Sequence, residues 1–113
     1  MRWVYVAHPL RGDHPDDLKA IGENYDKVVR ICRQIAKEHD DVLILSPLNA
    51  FSFISPFEDQ TQVMEMCLTL LGFADELWVY GDWRKSEGCC KEVAYAGLYG
   101  IQTRFAEEKP CSG

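Results

Sequence analysis

The 113-residue sequence has no apolar run near the ~20 residues that a membrane-spanning helix needs, so no membrane is expected among its partners. It also has no surplus of basic residues. Twelve Lys and Arg stand against 18 Asp and Glu, a formal net charge of −6. Proteins that hold nucleic acid generally turn a basic face to the phosphates, so a nucleic-acid polymer is not an expected partner either. The five cysteines are odd in number and form no C-x-x-C pair, with Cys89 and Cys90 adjacent. Reduced, mostly buried thiols are expected rather than a disulfide scaffold, and no metal site or cofactor is expected. Three motifs are missing as well. Without G-x-x-x-x-G-K-[ST], G-x-G-x-x-G or G-x-S-x-G, the sequence gives no support to kinase-type phosphoryl transfer, a nicotinamide dehydrogenase or a nucleophile-elbow hydrolase. The start, Met1-Arg-Trp-Val-Tyr-Val, has no secretory cleavage pattern, and the cytoplasm is the expected compartment.

What is present is globular: 47% hydrophobic and 12% aromatic residues. The length suits one domain, expected over residues 1–105, with a polar tail at 106–113 expected to fray. Residues 2–7 are β-branched and aromatic and stop at His8-Pro9, as a strand would. From Leu18 to about His39, apolar residues recur at helical spacing (Ile21, Tyr25, Val28, Cys32, Ile35), with Asp16 or Asp17 as the cap. Val42-Leu-Ile-Leu45 is continuously apolar, like a buried parallel strand. A second helix is expected from Glu58 to Leu71, closed by Gly72. A strand at 76–80, a loop at 81–86, a helix at about 87–99 and a last strand at 101–105 follow.

That order, β-α-β-α-β-α-β, predicts a three-layer α/β fold. With right-handed crossovers it is an open parallel sheet of Rossmann or flavodoxin type, strand order 2-1-3-4. In such sheets ligands bind beyond the carboxyl ends of the strands, where the winding direction changes. Here that point lies between the first and third strands. The segments leaving it are 7–13 and 80–87.

The second of these runs into Gly81-Asp-Trp-Arg-Lys-Ser-Glu-Gly-Cys-Cys-Lys-Glu92, a strand-turn-helix junction with basic residues, a Ser, a Gly and an acid just inside the helix. A junction of this kind suits an anionic ligand. Ser86 is placed to cap the helix and offer its hydroxyl to a phosphate, and Gly88 allows close approach. Glu92 would face the cleft one turn further in. Asp75 precedes the third strand, Tyr5 projects from the first, and Arg11 leaves it. Carboxylates and a tyrosine around an anion pocket suit glycosidic chemistry, in which one acid attacks or stabilises an anomeric carbon. His8 could contact the ligand, and Trp83 could stack on a ligand or on a neighbouring subunit.

Residues 46–58 carry two prolines and three serines beside Phe51, Phe53, Ile54 and Phe57, and no regular structure is expected there. The segment reads equally as a loop tucked onto the core, or as a lid that stacks a ring or packs on a second subunit. Asn49 within it is a candidate substrate contact.

The pattern Tyr5-Val-Ala-His-Pro-Leu-Arg-Gly12, then Ala74-Asp75, then Ser86-Glu-Gly-Cys-Cys-Lys-Glu92-Val-Ala-Tyr-Ala-Gly97 resembles the nucleoside 2-deoxyribosyltransferase-like superfamily over residues 3–105. The likeness is to its 2′-deoxynucleoside 5′-phosphate N-hydrolase-like branch, and most of all to small bacterial and phage members of uncharacterised activity. The resemblance implies Glu92 as the nucleophile that forms a glycosyl ester, with Asp75 as an acid near it and Tyr5 as a tyrosine beside it. It also implies Ser86 and Arg11 as phosphate contacts. The expected activity is cleavage or exchange of the N-glycosidic bond of a (deoxy)nucleoside 5′-monophosphate, in a homo-oligomer. The alternatives are a non-catalytic nucleotide-binding or sensing module on the same fold, and an interaction protein that assembles through 46–58. His8-Pro9 stands where the hydrolases have a small Gly-Ser-type pair. The sequence ends before the C-terminal Asn that transferases lend to a neighbouring site, which lowers the case for base exchange, with hydrolysis and transfer both left open.

Overall fold

The computed structural model describes residues 1–11, 17–52 and 60–106. Four parallel strands form one sheet in the order β2-β1-β3-β4: β1 is Arg2–Ala7, β2 Val42–Leu45, β3 Glu76–Tyr80 and β4 Gln102–Ala106. The expected α/β architecture and strand order hold. Helix α1 (Leu18–Glu38) connects β1 to β2. A short helix α2 (Pro47–Ala50) follows β2, α3 (Thr61–Leu71) precedes β3, and α4 (Glu87–Tyr99) leads to β4.

The alternation of side chains along the strands divides the core. Val4 and Val6 of β1 and Trp78 of β3 face one side, where they pack with Ile35 of α1. Tyr5, Ala7, Leu77 and Val79 face the other and pack with Cys67 and Leu71 of α3 and with Cys89 and Ala96 of α4. Both faces of β1 and β3 are therefore dry, which is why these strands carry almost no polar residues. Each such side chain contributes roughly 1.5–3 kcal/mol by leaving water.

Local chemistry sets the helix ends. Asp17 caps α1, its carboxylate accepting the N–H groups of Lys19 (3.0 Å) and Ala20 (3.2 Å). Gly100 ends α4 in the left-handed conformation at φ 71°, its N–H donated to the Ala96 carbonyl. Gly72 ends α3 differently. At φ −60° it remains right-handed, so its lack of a side chain does not explain the stop.

Three boundaries differ from expectation. Pro47–Ala50 is a helical turn where none was expected, because a proline at the first helical position needs no N–H partner and Ser46 is already extended. The expected loop 81–86 contains a 3₁₀ turn at Trp83–Lys85. The last strand begins and ends one residue later than read. Of the apolar 46–58 segment, Phe51 packs against the core beside α3 and α4. Phe53, Ile54, Phe57 and the expected helix start at Glu58 lie outside the described residues, as does the tail from residue 107.

Candidate functional site

The segments leaving β1 and β3 meet at the carboxyl end of the sheet. Gly81 turns there at φ 72°, and a Cβ on it would come within 3.1 Å of Pro9 Cδ and 3.2 Å of His8 Nε2. Only a glycine allows both the backbone angle and this approach. The His8 ring is folded down, its Nδ1 2.6 Å from the Pro9 carbonyl oxygen. The Arg11 loop is tied to α1 through Asn24, whose side-chain amide donates to the Leu10 carbonyl at 2.6 Å.

A cleft of about 540 Å³ opens beside these loops. The β1 loop supplies His8, Leu10 and Arg11, and the first two turns of α4 supply Ser86, Gly88, Lys91 and Glu92. Pro47 and Leu48 of α2 and Val63, Met64 and Cys67 of α3 form an apolar wall. One side of the cleft is charged, with Arg11 and Lys91 beside Glu87 and Glu92, and the other is apolar except for Gln60 and Thr61. That polarity suits a ligand with an anionic end and a flat apolar body.

Glu92 is the buried carboxylate of this cleft, 6% exposed, on the sheet-facing side of α4. Its hydrogen-bond partner is the hydroxyl of Tyr5, fully buried on the central strand. Burial pushes the Glu92 carboxyl from the usual 4.5 to about 7, against the opposing pull of the Tyr5 hydrogen bond. Burial, and then the Glu92 charge, push the Tyr5 phenol well above its ordinary range, so it stays a donor. Burial likewise raises the Cys67 thiol to about 11 and the Cys89 thiol to about 12, so neither supplies a thiolate nucleophile at neutral pH. A carboxylate poised near neutrality beside a fixed donor can act as nucleophile or as general acid-base group.

The Ser86 hydroxyl oxygen accepts the Cys89 N–H at 3.2 Å as the α4 cap, and Ser86 lines the cleft. The N–H groups of Glu87 and Gly88, ahead of Cys89, have no partner within the 13-residue helix, whereas that of Cys90 goes to the Ser86 carbonyl at 3.0 Å. Arg11 is half-buried, and its Nε is buried without a hydrogen-bond partner. Lys91 reaches Glu87 at 3.2 Å on the exposed rim.

Residues 2–106 match the family described as domain of unknown function DUF7768. The chain belongs to that family. No match is found among curated proteins or among solved structures. In this DUF7768 domain, no helix among the described residues is long and apolar enough to cross a membrane. No group of three His, Cys, Asp or Glu among them could hold a metal ion.

The cleft of the DUF7768 domain brings together six of the nine residues picked from the sequence: Tyr5, His8, Arg11, Ser86, Gly88 and Glu92. Tyr5 reaches it through Glu92, and the other five line it. Three are elsewhere. Asp75 is exposed at the amino end of β3, where its carboxylate accepts the Trp3 N–H at 2.7 Å, and it does not line the cleft. The expectation that it stands near the nucleophile is corrected, because a residue before a parallel strand emerges at the end opposite the cleft. Asn49 is exposed and donates to Ser46 Oγ at 2.8 Å, while its neighbours Pro47 and Leu48 turn inward. Trp83 stacks on Phe105 at 5.1 Å, with the Arg84 guanidinium 5.3 Å from its ring centre, so it packs within the chain instead of lining the cleft.

Sequence reasoning missed the contribution of α3. Val63, Met64 and Cys67 have the spacing of a core face. Their upper edge, however, overhangs the strand ends and walls the cleft. Glu87 on the rim was missed as well, because a first-turn acid is the ordinary companion of a helix dipole.

Proposed function

We propose that this DUF7768 domain cleaves the N-glycosidic bond of a (deoxy)nucleoside 5′-monophosphate, with Glu92 as nucleophile. The observation that carries the reading is the buried Glu92–Tyr5 pair in a cleft that also holds an unpartnered Arg11 Nε and the α4 N-terminus. The polarity of the cleft supports an ordering of the substrate. The phosphate lies on Arg11, Ser86 and the first N–H groups of α4, and the base lies against Leu48, Val63 and Met64. The sugar C1′ then falls to Glu92. A Glu92 oxygen bonds C1′ as the C1′–N bond breaks, and the electron pair leaves on the base nitrogen, which takes up a proton. Water then cleaves the glycosyl ester and restores the carboxylate. The sequence resemblance to deoxynucleotide N-hydrolases supports the same assignment of Glu92, Tyr5, Ser86 and Arg11.

A second reading, a nucleotide-binding module without turnover, draws on the position of Asp75. With that acid at the far end of the sheet, Glu87 on the rim is the other carboxylate lining the cleft among the described residues. Two-carboxylate glycosidic catalysis needs both acids at the bond being cleaved, and Asp75 does not line the cleft.

Incubating the protein with a panel of nucleosides and their 5′-monophosphates, and following free base by chromatography, separates the two. Base released from a monophosphate by wild type and not by Glu92→Ala supports the enzyme. Monophosphates that raise the melting temperature while no member of the panel releases base overturn the enzyme in favour of the module.

A further inference from the structure

Along α1, one stripe of residues recurs at spacings of three and four: Ile21, Asn24, Val28, Ile31 and Ile35. Ile21, Val28 and Ile35 are buried, and Ile31 packs beside Ile35 on the core. Asn24 is the polar member of this stripe, half-buried where an apolar side chain would fit the pattern. An amide taken from water costs stability unless it is hydrogen-bonded, so its partner is informative. That partner is the Leu10 carbonyl, to which the Asn24 amide donates at 2.6 Å.

The Leu10 carbonyl and the Arg11 N–H belong to one planar peptide unit. A bond to that oxygen therefore fixes the plane from which the Arg11 side chain departs. Other ties on this stretch are few. Among the described residues, no backbone–backbone hydrogen bond outside the helices and strands reaches Pro9, Leu10 or Arg11. Gly81 limits the space beside His8 and Pro9 but makes no bond to Leu10. Arg11 needs a tether, because its Nε is buried at the cleft without an acceptor. A charged donor in that condition gains by swinging out to water unless its backbone is held.

We infer that Asn24 is a positioning residue for Arg11: by holding the Leu10 carbonyl, it keeps the guanidinium in the cleft, ready for an anion. This role rests on the reading of Arg11 as the phosphate contact. Asn24 does not line the cleft itself, so whatever it does for a ligand passes through the loop.

Exchange of the Arg11 Nε proton with water, followed by NMR and assigned with Arg11→Lys, tests this without any ligand. Asn24→Leu keeps the volume and removes the donor, whereas Asn24→Ala removes both. Each is expected to speed the Arg11 exchange by about tenfold or more and to leave the backbone amides of Val28 and Ile35 protected as in wild type. Three results overturn the inference: unchanged Arg11 exchange in Asn24→Leu, an effect of Asn24→Ala alone, or equal loss of protection along α1. The first leaves Asn24 no role at Arg11, and the others make it a packing residue of the helix. Calorimetry with the 2′-deoxynucleoside 5′-monophosphates and their parent nucleosides then reads the consequence. Asn24→Leu is expected to weaken the monophosphates about fivefold or more, the nucleosides less than about twofold, and nothing further in an Arg11→Ala background. A loss that persists in Arg11→Ala overturns the route through Arg11. Faster Arg11 exchange with monophosphate affinity unmoved keeps the positioning role and removes the phosphate from Arg11 in the proposed function.

Discussion

At the amino end of the sheet, Arg2 bridges Asp41 at 3.2 Å and Glu76 at 2.9 Å, and Asp75 takes the Trp3 N–H at 2.7 Å. At the carboxyl end, Glu92 is buried with Tyr5 as its hydrogen-bond partner, and Arg11 Nε is buried with none. Both ends gather acids and an arginine around the same central strands. The amino end pairs them at a partly exposed edge, where each pair is worth little. Asp41 is pulled below the usual carboxylate range by its hydrogen bond to Arg2. The carboxyl end separates the acid from the cation and withholds water from the acid. Unspent polar capacity at one end of a parallel sheet, and satisfied capacity at the other, is how this molecule marks its site.

The strongest way to break this comparison is to exchange the acids of the two ends. Glu92→Gln is expected to lower base release from a 5′-monophosphate by about a thousandfold or more, as loss of a nucleophile does. Asp75→Asn should leave it within about twofold. Equal losses in the two variants would erase the distinction between the ends.

Stability against pH probes the same contrast without substrate. Glu92 binds its proton more tightly folded than unfolded, so its contribution is fully favourable below about pH 4.5 and is lost as pH rises through about 7. Glu92→Gln should therefore be more stable than wild type at pH 8, by up to about 3 kcal/mol, and hold no such advantage at pH 5. Chemical denaturation at the two pH values measures it. Asp41 runs the other way, its depressed carboxyl lending stability above the unfolded value that is lost as pH falls.

Arg11→Ala sharpens the picture of the basic side. Removing a charged donor aimed at a phosphate should weaken a 5′-monophosphate at least about tenfold, the ~1.5–3 kcal/mol of such a bond, and leave the nucleoside within about twofold. Calorimetry on the matched pair of ligands decides it, and equal losses would take the phosphate off Arg11.

The smallest effect belongs to the amino end. Asp75→Ala removes one acceptor from an exposed backbone N–H and should cost about 1 kcal/mol or less, measured by thermal melting. A larger loss would mean that this end stores more than surface pairing.

Much of this was legible before any coordinates. Apolar periodicity located α1 and α4 to within about a residue, and the apolar run Val42–Leu45 is a strand, but at the sheet edge it is only partly buried, with Leu43 exposed, and not the buried strand expected. The helix cap at Ser86 and the buried acid one and a half turns later followed from 3.6-residue geometry. Asp75 was misplaced for a reason of direction. Sequence proximity to a strand says nothing about which end of the sheet faces the ligand, and a parallel strand puts its two ends some 15 Å apart at ~3.3 Å per residue. Trp83 and Asn49 were misassigned because exposed-loop composition does not reveal a partner 22 residues away, such as Phe105, or one three residues back, such as Ser46.

By itself the sequence determined the main elements and their parallel order β2-β1-β3-β4, and hence the end of the sheet where folds of this kind bind ligands, because local periodicity and crossover handedness suffice for these. Only the tertiary structure decided which side chains meet there. It joined Glu92 of α4 to Tyr5 of β1, 87 residues away, and brought Cys67 of α3 into the same core cluster as Tyr5. Contacts of that range depend on the depth at which helices settle on a sheet, which is fixed by packing and not by any local pattern.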